Sequence, residues 1–276
     1  MKKLFAVIGD PIAHSMSPIM HNELFKINKI DAHYHPLHVK KIDLEAAIKG
    51  LKAIGTAGFN VTIPHKETII PFLDRLDPLA EAIGAVNTVV NEDGELVGYN
   101  TDGSGYVKGL MDKIETINDK NILIIGAGGA ARALYFTMAR TGVKRLDICN
   151  RTLAKAAAIV EDCPYSVVSR AIEISSAEAS LSQYDIIIHT TSIGMAPDIN
   201  QLPLSLHNLQ PNAFVSDIIY NPLETKLLHE AKQRGCIVQN GLNMFVHQGA
   251  LAFEKWTGIS PDTEQMKANV LQQLGG

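Results

Sequence analysis

The sequence predicts an α/β protein of two domains. Strands and helices alternate along almost the whole chain, and the alternation restarts near residue 120 with a strand, a glycine-rich turn and a helix. The length of 276 residues suits two domains of ordinary size. We therefore expect an N-terminal α/β domain over residues 1–103, followed by a Rossmann-type dinucleotide-binding domain over 104–239.

In the first half, Leu4 to Gly9 reads as an apolar strand. The two lysines before it superficially resemble a secretory leader, but the apolar run is short and no small-residue cleavage site follows. We expect a cytoplasmic protein. Ser17-Pro18 opens a helix, with Ser17 in the N-cap role and Pro18 at the first helical position. A strand near Ala32 to Val39, a helix near Ile42 to Ala53 and the strand Gly58 to Ile63 follow, then helical stretches near 67–73 and 77–82. Two strands, Ala85 to Val90 and Glu95 to Tyr99, flank the turn residues Asn91 to Gly94. This order favours a mostly parallel sheet covered by helices. Gly103 to Lys113 reads as a connecting helix.

In the second half, Asn121 to Ile125 is a continuous apolar strand, as a strand buried on both faces requires. Next come a helix from Gly129 to Thr141, a strand from Arg145 to Cys149 and a helix from Leu153 to Glu161. Strands at Ile186 to Thr190 and Ala213 to Asp217, a helix at Thr225 to Arg234 and a short strand at Ile237-Val238 complete the domain. Met244 to Trp256 and Asp262 to Leu274 read as helices.

Composition excludes several classes. The formal net charge is −4 with no basic stripe, against nucleic acid as a main partner. No apolar run is long enough to cross a membrane. The cysteines Cys149, Cys163 and Cys236 are odd in number and widely spaced, so neither a disulfide framework nor a zinc pattern fits. His33, His35 and His38 cluster in D-A-H-Y-H-P-L-H, but their alternation with Tyr34 is that of a strand's polar face, and we expect no metal.

The G-A-G-G-A-A stretch (126–131) follows a strand and opens a helix, the context in which a G-x-G-x-x-A loop binds a dinucleotide. Gly126 permits the tight turn, Gly128 lets the backbone approach a pyrophosphate, and Ala131 allows close helix–strand packing. The next strand ends in Asn150-Arg151-Thr152, with Lys155 a turn further on, where an NAD site places a carboxylate. A guanidinium grips a 2′-phosphate and a carboxylate repels it, so the pattern favours NADP over NAD.

Four fragments of the first half put polar groups at the ends of apolar elements: H-S-M-S-P (14–18), N-V-T-I-P-H-K (60–66), A-V-N-T-V (85–89) and N-T-D-G (100–103). Ligands in open α/β sheets bind beyond the carboxyl ends of strands. Ser15 and Ser17 project the same way in extended chain, beside a helix N-terminus suited to a carboxylate. Equally, Ser17 has only a capping role and Ser15 none. Taken alone, Lys66 is a surface lysine and Asp102 a turn residue. Together, they can move a proton: a lysine kept charged by a carboxylate serves as acid, and a desolvated one as base.

With these motifs assembled, the chain resembles the shikimate dehydrogenase family over essentially its whole length. The resemblance rests on V-I-G-D-P-I-A-H-S-M-S-P, F-N-V-T-I-P-H-K-E, G-A-V-N-T-V, Y-N-T-D-G, I-G-A-G-G-A-A-R, N-R-T, T-S-I-G-M, D-I-I-Y-N-P and N-G-L-N-M-F-V-H-Q-G-A. It implies NADP-dependent, reversible reduction of 3-dehydroshikimate to shikimate, in a cleft between two α/β domains, with residues 240–276 completing the first. It further implies that Lys66 and Asp102 form the catalytic pair and that Ser15 and Ser17 hold the substrate carboxylate. By the same resemblance, Thr62, Asn87, Asp102 and Gln248 bind the ring hydroxyls, with Asn60 and Tyr220 close by. On the cofactor side it implies Gly126, Ala127, Gly128, Gly129 and Ala130 at the phosphates, Asn150, Arg151, Thr152 and Lys155 at the ribose, and Ile218 and Gly241 near the nicotinamide. Lys155 stands where arginine is also common, which softens the grip on a 2′-phosphate. Quinate/shikimate dehydrogenase relatives, which tend towards NAD, carry an acidic residue in place of Asn150. The oligomeric state stays open between monomer and homodimer.

Overall fold

The computed structural model describes residues 2–275. The chain divides into two units. One runs up to Gly105 and resumes from Val246, and the other spans Tyr106–Phe245.

The first unit contains, in chain order, β1 (Lys3–Gly9), α1 (Ser17–Ile27), β2 (Ala32–His38), α2 (Leu44–Ala53), β3 (Gly58–Val61), β4 (Arg75–Leu76), α3 (Pro78–Ile83), β5 (Thr88–Glu92) and β6 (Glu95–Tyr99). Its sheet has the order β2-β1-β3-β5-β6-β4. β1 runs parallel to β2 and β3, and β4 to β6, whereas β3/β5 and β5/β6 are antiparallel. The sheet is thus mixed, because the two-residue turn Asp93-Gly94 folds β6 straight back on β5. Both turn residues have positive φ (53° and 98°), as such tight hairpins demand. The apolar run of β1 is buried from Phe5 to Gly9, as expected of an inner strand. On edge strand β2, Tyr34 points inward while His33 and His35 face outward.

Two expectations need correction here, and one strand was not foreseen. Residues 67–73 hold only a single 3-10 turn, Ile70–Phe72, where Pro71 supplies no amide proton to continue a helix. The two-residue β4 was not anticipated, being too short for any alternation to register. Ser17 does not cap α1: the cap position falls on Met16, which makes no side-chain cap bond, and Ser17 is already helical.

The second unit continues with α4 (Asp102–Met111), which starts in the first unit, then β7 (Asn121–Ile125), α5 (Gly129–Thr141), β8 (Arg145–Cys149), α6 (Leu153–Asp162), β9 (Ala171–Ile172), α7 (Ile174–Ala179), β10 (Ile186–His189), β11 (Phe214–Asp217), α8 (Lys226–Gln233) and β12 (Ile237–Gln239). The order β12-β11-β10-β7-β8-β9 is parallel throughout. Read from β9, this is the doubly wound order in which two mononucleotide-binding halves meet between β7 and β10. The short β9 and α7 were not anticipated.

α9 (Leu242–Thr257) carries the chain back to the first unit, and α10 (Thr263–Gln273) follows. Trp256 donates its indole N–H to the Val89 carbonyl at 2.9 Å. A side chain at Gly58 would strike the indole. Met266 and Val270 of α10 are fully buried. Gly105 lets α4 lie directly on α9: a Cβ there would sit 2.5 Å from the backbone nitrogen of Gln248. Backbone cannot yield as a side chain can. Gly105→Ala is therefore expected to destabilise the protein by about 1–3 kcal/mol, measured by urea denaturation.

Candidate active site

The site in the first unit grows from the segment after β3. Thr62 donates its backbone N–H to Ile8 (3.0 Å), and His65 N–H closes a turn onto the Thr62 carbonyl (2.9 Å). The Ile63–Pro64 peptide within the turn is cis. Ile63 is 73% exposed, while His65 is fully buried and its Nε2 lies 2.6 Å from the Val39 carbonyl. The turn is thus pinned on both sides, and the Lys66 carbonyl accepts the Val86 N–H at 2.7 Å. From that fixed backbone the Lys66 side chain, 30% exposed, reaches Asp102 Oδ2 at 2.6 Å.

Asp102 opens α4, where a carboxylate is stabilised by the helix dipole. Its second oxygen, Oδ1, accepts from Asn87 Nδ2 at 2.9 Å. The orientation of the Asn87 amide follows from one unambiguous donor: the Thr101 backbone N–H points at Asn87 Oδ1 (2.8 Å), so Nδ2 must face the carboxylate. Thr88 donates its hydroxyl to the same Oδ1 (3.0 Å), and the other Nδ2 proton reaches Thr101 Oγ1 (2.9 Å). Thr101 in turn donates to the Gln248 carbonyl of α9 (3.1 Å).

Asn60 is equally committed. Its Nδ2 donates to the Asn87 carbonyl and to Thr88 Oγ1, both at 3.1 Å, and its Oδ1 accepts the Tyr34 hydroxyl at 2.7 Å. Burial pushes the Tyr34 phenol up well above its usual range, and a hydrogen bond with Ser17 opposes the rise. Ser15 Oγ accepts the Ser17 N–H at 3.3 Å, so it is Ser15 that satisfies a free amide at the start of α1. Lys66, Asp102, Asn87, Asn60 and the backbone of Gln248 therefore form one connected group. Tyr220 belongs to the second unit, its ring tilted against that of Phe245 with ring centres 5.1 Å apart. Its phenol is raised by burial. Tyr34, Thr88 and Thr101 were not singled out from the sequence. For Thr88 and Thr101 the only available signal was adjacency to Asn87 and Asp102; for Tyr34 the sequence offered none.

The second unit fits a dinucleotide. Gly126 has φ +114°, open to glycine at little cost, and a Cβ there would collide with Thr190 and Thr191. Above Gly128 and Gly129 a Cβ would meet nothing, so the backbone is open to close approach. The cap position of α5 is Gly128, without a side-chain bond, leaving the first amides free for a phosphate. Ala127 and Ala130 flank these glycines without bulk. At the end of β8, Asn150 Nδ2 donates to the Thr152 carbonyl at 3.0 Å and shapes the turn. Arg151, Thr152 and Lys155 are all exposed there, and neither cation joins an ion pair among the described residues. Gly241 donates its N–H to Ile219 (2.9 Å), and a Cβ on it would strike the Ile218 carbonyl, so Ile218 and Gly241 lie against each other.

Comparisons with known proteins point to one family. Family models match in three stretches: the shikimate dehydrogenase substrate binding domain over residues 7–89, shikimate / quinate 5-dehydrogenase over 110–199, and the shikimate 5'-dehydrogenase C-terminal domain over 241–271. A shikimate dehydrogenase (NADP(+)) of Bacillus anthracis is 54% identical over 277 residues, covering 100% of both chains. A crystal structure of a shikimate dehydrogenase in complex with NADP+ is similar with TM-score 0.92 and 42% identity, over 99% of this chain and 96% of that one. The Listeria monocytogenes shikimate 5-dehydrogenase, in complex with shikimate and NAD, gives TM-score 0.93 and 37% identity over 98% and 96%.

Asn87→Ala would leave the Thr101 N–H and one oxygen of Asp102 without partners. A buried donor left unmatched costs about 1–3 kcal/mol. We expect a loss of that size in denaturant unfolding, together with lower kcat/KM.

Proposed function

The chain belongs to the shikimate dehydrogenase family, and from that premise we propose how its residues divide the work. The protein is an NADP-dependent oxidoreductase that interconverts 3-dehydroshikimate and shikimate. NADPH supplies the hydride that the carbonyl carbon receives, and the carbonyl oxygen needs one proton.

Lys66 supplies that proton. The observation that carries this reading is the 2.6 Å contact between Lys66 Nζ and Asp102 Oδ2, made from a turn pinned on both sides. Of the three N–H donors of the Lys66 ammonium, only one is spent on Asp102. The others are free to meet an oxygen as negative charge develops on it, and that same oxygen returns its proton to the amine in the oxidative direction. Asp102 keeps lone pairs for a ring hydroxyl beside the one that reacts. Ser15 and Ser17, beside the start of α1, take the substrate carboxylate, where helix amides favour an anion. Thr62 and Gln248 complete the contacts to the ring hydroxyls, while Asn87, whose amide is fully committed, serves the substrate by holding Asp102 in place, with Asn60 fixing Asn87 from behind.

For the cofactor, Gly126 to Ala130 cradle the pyrophosphate, and Arg151 with Lys155 hold the 2′-phosphate, Asn150 and Thr152 shaping the turn that presents them. We also propose a cytoplasmic location for the enzyme.

Two measurements test this division. Lys66→Ala should lower kcat by about 10²–10⁴-fold with KM for shikimate little changed, the signature of an interaction made in the transition state. A mainly raised KM would reduce Lys66 to a binding residue. In steady-state kinetics with shikimate and quinate against NADP and NAD, Arg151→Ala should raise KM for NADP strongly and barely alter NAD. Equal effects on both cofactors would reject the 2′-phosphate role.

A further inference from the structure

We propose that His189 and Asp217 are positioning residues: the pair holds the loops after β10 and β11 in the shape that takes the nicotinamide half of NADP. The inference rests on the NADP reading above.

The two residues end neighbouring parallel strands and face each other in register. Both are fully buried. His189 Nδ1 lies 3.1 Å from Asp217 Oδ2, a contact of ion-pair length that is off the line of a hydrogen bond, and Nδ1 has no other partner. A carboxylate only accepts, so the proton of the ring belongs on Nδ1, and Nε2 is left to accept from the Thr191 hydroxyl at 2.6 Å. Thr191 Oγ1 accepts the Ile193 N–H at 3.2 Å, which shapes the loop after β10. On the other side, Asp217 Oδ1 accepts the Ile219 N–H at 3.0 Å, and Oδ2 accepts the hydroxyl of Thr225, the N-cap of α8, at 2.8 Å. One buried pair thus ties down the first residues of both loops.

Position says what those loops serve. The glycine turn follows β7, and the arginine suited to a 2′-phosphate follows β8, so the adenine half belongs on the β7–β8 side. In a doubly wound sheet the second mononucleotide lies across the switch point, here over the ends of β10 and β11. The same loops touch the glycine turn, because a Cβ on Gly126 would strike Thr190 and Thr191, and they touch Gly241 through Ile218 and Ile219. Stability alone does not account for the pair. A well-packed apolar pair of similar shape usually serves stability as well as a buried polar one or better. What an apolar pair lacks is direction: it could not orient the Thr191 hydroxyl or the Ile219 amide.

The test is a calorimetric titration of full-length wild-type protein and its variants with NADP+ and with adenosine 2′,5′-bisphosphate, which carries the 2′-phosphate half and no nicotinamide. His189→Leu should weaken NADP+ about 10-fold or more, as loss of an orienting partner does elsewhere, and leave the bisphosphate within about twofold. His189→Asn, whose amide nitrogen can take the place of Nδ1 beside Asp217, should recover part of the loss. If His189→Leu does not fold, Thr191→Val, at a half-buried position, removes the hydroxyl without changing its shape and should give the same split. Equal weakening of both ligands, or no weakening of either, would overturn the proposal. Wild-type protein that binds neither ligand would instead overturn the NADP reading on which it rests.

Discussion

The first unit depends on the hydrogen bond from the Thr101 backbone N–H to Asn87 Oδ1. An asparagine amide has two ends and could turn either way. This donor cannot be reversed, so it decides which end faces Asp102. Once Nδ2 is on the carboxylate, one oxygen of Asp102 is occupied and the other is left to Lys66. The Thr88 hydroxyl must then donate to Asn87 and accept from Asn60, and Asn60 must accept from Tyr34. The amide protons of Asn60 and Asn87 are thus all placed, while the Thr101 hydroxyl lies within reach of both Asn87 Oδ1 and the Gln248 carbonyl. Such a network is costly if any member is left unmatched, and for that reason it fixes geometry sharply.

The second unit reaches a comparable result with different means. There the backbone does the work: a glycine turn at φ +114°, open amides at the start of α5, and a parallel sheet whose order reverses between β7 and β10. Side chains enter mainly to shape the loops, as Asn150 does for the turn bearing Arg151. The buried His189–Asp217 pair adds a directional element at the ends of two neighbouring parallel strands.

Much of the fold was legible in the sequence, and the reasons differ by element. β7, α5 and β8 were read with their observed limits, because a fully buried parallel strand is a plain apolar run and the glycine turn marks where the helix must start. The antiparallel course of β5 and β6 followed from the turn residues before Gly94. What failed was short or locally ambiguous. β4 and β9 have two residues each, below any period. Ser17 has the sequence context of a cap, yet Ser15 satisfies the amide, since a serine two residues earlier offers the same oxygen. At the site, residues with distinctive chemistry stood out, namely Lys66, Asp102 and the glycines. The threonines and Tyr34 that orient them did not. Their importance lies in which atom meets which, and a sequence records only that a hydroxyl is present.

The central claim is that Lys66 and Asp102 act as a unit. The most direct measurement is a double-mutant cycle on kcat for shikimate oxidation, with Lys66→Ala, Asp102→Ala and the double variant, each checked for folding. Groups that act together are strongly non-additive. The account predicts that the double variant is about as slow as the slower single one. A double variant slowed by the product of the two single effects would contradict it.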